Sequence, residues 1–67
     1  MSNACAGQVW EDMQDGHVYM VIDRPSPWSD WRMLLLATGH MYTTVVPGTV
    51  TWAGDLFFGA SWTRRIA

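Results

Sequence analysis

The side chains able to do chemistry are few and far apart. His17 and His40 are the two histidines, Cys5 is the one cysteine, and Glu11 with Asp12, Asp15, Asp23, Asp30 and Asp55 makes six acids. A structural zinc site takes four ligands, so Cys5, His17 and His40 fall short without a carboxylate, and the two histidines form no recognised ligand spacing with Asp15 or Asp23. Each histidine instead follows a turn glycine, Gly16 or Gly39, at the half-solvated start of an expected strand. Cys5 has neither a helix terminus nor a basic neighbour to favour its thiolate. Ser26, Ser29 and Ser61 stand in no known nucleophile pattern with a histidine and an acid. The aspartates fall in turns, where their side chains bend the chain by hydrogen-bonding to nearby backbone. No catalytic residue, cofactor or metal is expected.

Aromatic residues carry the remaining signal, with five tryptophans in 67 residues. Trp10, Trp52 and Trp62 sit in alternating segments and read as core or barrel-mouth residues, because a very small domain fills its interior with few large side chains. Trp28 and Trp31 differ, since they flank Ser29-Asp30 at the end of a segment bearing Pro25 and Pro27. Tryptophan is enriched at interaction hot spots, and aromatic residues beside prolines line peptide grooves. Trp28, Trp31, Pro25, Pro27 and Tyr19 are therefore the candidate partner-binding set, against the simpler reading that the loop folds back to plug the fold. A second set, Tyr42, Trp52, Arg64 and Arg65, together with Tyr19, would suit stacking on single-stranded nucleic acid. Two adjacent arginines make a weak basic patch, and Arg64 has a simpler use in stacking on Trp62 or pairing with an acid.

The elements that must position these residues are strands. No stretch of eleven residues keeps an apolar stripe at helical spacing without a Gly or Pro, whereas strand signals recur about every ten residues. Residues 8–11 pair as a hairpin with 17–23 across Asp15-Gly16, a strong turn dipeptide. In the second strand Val18, Met20 and Ile22 share one face and His17, Tyr19, Val21 and Asp23 the other. Two prolines make 24–30 a loop. The strand 31–37 places Trp31, Met33, Leu35 and Ala37 opposite Arg32, Leu34 and Leu36. With both faces greasy, it is either covered twice or part of an association surface. Thr38-Gly39 turns into a strand at 40–46, Pro47-Gly48 breaks it, and 49–53 alternates with Val50 and Trp52 together. A short turn at 54–59 carries Phe57 and Phe58, and 61–66 closes the chain with Trp62, Arg64 and Ile66 in phase.

Composition limits what these strands can build. Charged residues make up 15% of the chain, against about 25% in an ordinary soluble domain. Four arginines without a lysine, and a net charge of −2, disfavour a non-specific grip on nucleic acid. The longest apolar run, Met33 to Ala37, is far below the ~18 residues of a membrane span, and no signal-peptide pattern opens the sequence, so a cytoplasmic location is expected. One cysteine excludes an intrachain disulfide. The expected fold is all-β, a small closed or half-closed SH3-like barrel of five to six short antiparallel strands over 7–67 after a flexible tail at 1–6. A barrel is the form that buries both core and edges in so short a chain. An OB-like barrel is the nearest rival.

The opening Gly7-Gln8-Val9-Trp10-Glu11-Asp12, the Asp15-Gly16 turn, the leucine-rich strand ending Thr38-Gly39 and the closing Trp62-Thr63-Arg64-Arg65-Ile66-Ala67 form a pattern. It resembles small SH3-like barrel proteins of unknown function encoded by bacteriophages of actinobacteria. The resemblance implies a fold and a source, with a place in the host cytoplasm or the virion, and brings no activity or catalytic residue. Low charge, two-faced apolar strands and small size lead to one functional expectation. The chain is a non-enzymatic interaction module that meets a protein partner or copies of itself through a tryptophan-bearing surface, with a nucleic-acid-binding barrel as the alternative.

Overall fold

The computed structural model describes residues 4–39 and 45–67. Its elements are β1 (Val9–Asp12), β2 (Val18–Asp23), β3 (Trp31–Ala37), β4 (Val50–Ala53), the short helix α1 (Asp55–Gly59) and β5 (Thr63–Arg65). All pairings are antiparallel and form one sheet in the order β4-β3-β2-β1-β5. This is the small all-β fold expected, with five antiparallel strands in one sheet and a helical turn before the last strand. The sheet is open: β4 and β5 are its two edges. The strand expected over 40–46 lies outside the described residues except for Val45 and Val46, which are exposed and not in a strand.

Turn chemistry sets the register. Gly16 adopts φ 78°, a left-handed conformation that suits glycine, and the Asp12 and Asp15 side chains accept the Gln14 and His17 N–H groups at 2.9 and 2.8 Å. The resulting hairpin pairs Val9 with Met20, Trp10 with Tyr19 and Glu11 with Val18. Pro47-Gly48 turns similarly, with Gly48 at φ 97°.

Strand alternation then sorts the side chains. Trp10, Val21, Met33, Leu35 and Ala53 point inward and are buried, with Tyr19 and Trp31 partly so. The face of β2 that meets the core is therefore the one carrying Tyr19 and Val21. Phe57 and Phe58 of α1 complete this interior. Phe58 lies edge-on to Trp10 and Phe57, each at 5.1 Å between centroids, and to Trp31 at 6.3 Å. Phe57 meets Tyr19 at 6.1 Å and Trp62 at 5.6 Å, distances and angles typical of favourable ring pairs. The segment read as a turn is thus a one-and-a-half-turn helix that packs on the inner face of the sheet. Ala4, assigned to the tail from sequence, is buried in the same core. Gly7 anchors that segment by donating its N–H to the Val21 carbonyl at 2.8 Å.

Candidate functional site

Among the described residues the structure holds no cavity, so the candidate site is a surface. The loop between β2 and β3 supplies its most conspicuous feature. Pro25 and Pro27 fix their own φ angles, and Ser29 closes the turn between them and β3. Its hydroxyl accepts the Ser26 N–H at 3.1 Å and donates to the Ser26 carbonyl at 3.0 Å, while its N–H reaches the same carbonyl at 3.1 Å. Trp28 is the residue inside this turn, and 90% of its surface is exposed.

Arg24 fastens the loop to the rest of the molecule. Its Nε donates to the Ser29 carbonyl at 3.0 Å, its guanidinium lies 5.6 Å from the Trp31 ring centroid, and its terminal nitrogen sits 3.8 Å from the Asp55 carboxylate on α1. The residue after Asp55, Leu56, is also 90% exposed. The loop is therefore held at its base while its largest apolar side chain remains in water.

The two tryptophans paired by the sequence reading are separated by the fold. Trp28 faces solvent. Trp31 is half-buried, packed on Phe58 and covered by Arg24, and its indole N–H is buried without an acceptor among the described residues. Pro25 and Pro27 are exposed beside Trp28, whereas Tyr19 lies on the inner face against Phe57 and His17. Burial first, and then the negative charges of Asp15 and Asp12, raise the Tyr19 phenol above its ordinary pKa.

The residues of the stacking set are not brought together either. Trp52 is on the outer face of edge strand β4, 55% exposed, and not in the core as expected. The reason is steric: β4 pairs Ala53 with Trp31 on the inner face, and the Trp31 and Phe58 rings leave room there for only a small residue. Arg64 is on the opposite edge, four strand spacings or about 19 Å away. Its Nε donates to Glu11 at 2.6 Å, and Arg65 donates to the Ala67 carbonyl at 3.1 Å. Tyr42 and His40 lie outside the described residues. Of the other expected core tryptophans, Trp10 is buried and Trp62 is 36% exposed at the open end.

His17 is buried rather than half-solvated. Its Nδ1 accepts the Gly39 N–H at 2.9 Å, so a neutral ring carries its hydrogen on Nε2. Gly39 packs flat on the Asp15-Gly16 turn, and this contact, invisible in sequence, joins the first hairpin to the end of β3. Cys5 is an exposed free thiol, its N–H bonded to the Gln8 side chain at 3.0 Å.

Comparison with family models, with curated proteins and with solved structures finds no match to this chain.

Proposed function

We propose that this chain is a non-enzymatic interaction module, a phage-encoded accessory protein whose Trp28 loop docks on a protein partner, either a virion component or a host protein. The observation that carries the reading is a 90% exposed tryptophan on a turn closed by hydrogen bonds and pinned by Arg24. An indole left in water lacks a role in the fold. A turn already ordered loses little conformational freedom when its side chain is buried by a partner, so less of the gain from burial is offset by ordering. Tryptophan in such a position is the residue type most often found as a binding hot spot. Pro25, Pro27 and Leu56 supply further exposed apolar area beside it or on the helix to which the loop is tied.

Affinity capture from an actinobacterial host lysate, with wild-type and Trp28→Ala chains as parallel baits, tests the proposal. The variant is expected to keep the wild-type melting curve, because the side chain it removes packs on little, and to lose a protein that wild type retains. Identical captured proteins on both baits would overturn the assignment of Trp28. Retention of short oligonucleotides by wild type, abolished by moderate salt, would favour the nucleic-acid alternative instead.

A further inference from the structure

The far end of the β3–β4 hairpin carries an exposed apolar tip that has no part in the Trp28 loop. Between Arg32 and Asp55, a third of the chain, the sequence holds no Asp, Glu, Lys or Arg. At the open end of these two strands Leu36, Val45, Val46 and Val50 are between 41% and 63% exposed, with Pro47 exposed beside them. Trp28 lies beyond the other end of β3, whose seven residues span about 23 Å.

The tip is built to need nothing from water at its front. Val46-Pro47-Gly48-Thr49 matches a type II turn: Pro47 takes the first corner, Gly48 the second at φ 97°, and the Thr49 N–H closes on the Val46 carbonyl at 3.2 Å. The Thr49 hydroxyl donates to the same carbonyl at 2.7 Å, and the Gly48 N–H donates to the Leu35 carbonyl at 2.8 Å. Pro47 has no N–H. Every hydrogen-bond donor of the foremost residues, 47–49, is therefore used within the hairpin.

We infer that this tip dips into the surface of a zwitterionic lipid bilayer, at the boundary of headgroups and acyl chains. Two observations select lipid over protein. A protein interface carries about one hydrogen bond per 100–200 Å², and the front of the tip has no donor to give; hydrocarbon requires that condition, because an unpaired backbone N–H is costly there. Trp52 is the second: it is 55% exposed on the same face as Val50 and two residues, about 7 Å, behind it. Indoles gather at that level when the apolar residues ahead of them enter the acyl region. Insertion to about 5–10 Å lays the tip in the interface without a membrane span. Charge sets the lipid class. Beyond the closed Glu11–Arg64 pair, the charged groups at this end of the sheet are Asp12 and Asp15 of the β1–β2 turn, and the net charge is −2, so an anionic surface repels the chain.

Co-flotation with phosphatidylcholine vesicles at millimolar lipid tests this, with circular dichroism to check the fold. Wild type is expected to float with the lipid equally in low and high salt, and less well when phosphatidylserine is mixed in. Val46→Asp, at the most exposed of the four aliphatic positions, and Val50→Asp, on an edge strand, are each expected to keep the native spectrum and to weaken binding at least tenfold. Val46→Leu should bind at least as well as wild type. Trp28→Ala should float as wild type does, which separates the tip from the proposed docking loop. Absence of wild type from the lipid fraction, a requirement for phosphatidylserine, or a folded Val46→Asp or Val50→Asp chain that floats as wild type does would overturn the inference.

Discussion

Gly39 shows how much one residue without a side chain can hold in place. A Cβ built there would lie 1.8 Å from the Asp15 carbonyl oxygen and 2.5 Å from Gly16 backbone atoms, and backbone cannot swing aside as a flexible side chain does. Alanine must push the turn away, which strains the packing and pulls the Gly39 N–H from His17, leaving a buried ring nitrogen without its donor. Gly39→Ala is expected to cost about 2–4 kcal/mol of folding stability in urea denaturation. Gly59→Ala is the matching control, because nothing lies within 4 Å of its Cβ and its φ is not left-handed. There a small gain of about 0.5 kcal/mol from the unfolded chain's reduced freedom is expected. A Gly39→Ala chain as stable as wild type would show that the turn and the end of β3 are not locked together.

Strands bind their neighbours partly through side chains, and the β2–β3 pair carries one such clamp. The Arg32 guanidinium donates twice to the Asp23 carboxylate, at 2.6 and 2.5 Å, where a register shift interrupts the ladder. These hydrogen bonds, aided by the positive charge, hold the Asp23 carboxyl below its ordinary pKa. Since the folded value is depressed, the stabilisation is present above the unfolded value near ~4 and disappears as pH falls through the folded one. Thermal melts between pH 2 and 6 should show Asp23→Asn less stable than wild type at the upper end and converging with it at the lower. Parallel curves would mean the clamp contributes nothing.

The same elements show what sequence could convey. Strand positions followed from two-residue alternation and from Asp15-Gly16, Pro25, Pro27 and Pro47-Gly48, because backbone sterics act locally. Which face of β2 turned inward did not follow, since Val18-Met20-Ile22 and Tyr19-Val21 are about equally apolar; Trp10 and Phe58, brought in by other elements, decide it. Trp52 was misplaced for a related reason, its inner-face neighbour Ala53 being selected by the bulk of Trp31 across the ladder. The segment 24–30 was legible as a proline-shaped loop, whereas the choice between an exposed Trp28 and one folded back as a plug was not. The loop's fastening by Arg24 to Ser29 and Asp55 was hidden too, because the partners are five and 31 residues away in the chain.

At the scale of the whole molecule, the open sheet depends on a helix too short to exist alone. Five residues fall well below the length at which a helix forms in water, and Gly54 gives α1 no side-chain cap. What keeps α1 in place is Phe57 and Phe58, and what keeps the sheet curled is the same two rings seen from the other side. Phe58 is 3% exposed and meets Trp10 on β1, Trp31 on β3 and Phe57. Its loss removes a contact common to strands that do not pair with each other. Phe→Ala in a core costs about 3–5 kcal/mol, while a 67-residue domain has roughly 3–10 kcal/mol in total. Phe58→Ala should therefore unfold a large fraction of the chain at 25 °C, with near-ultraviolet and far-ultraviolet circular dichroism declining together. Phe58→Leu, which keeps most of the volume, should retain both signals and melt at a lower temperature. Loss of the near-ultraviolet signal alone in Phe58→Ala would show that the sheet holds together without the helix, and that α1 is an addition to a sheet already stable.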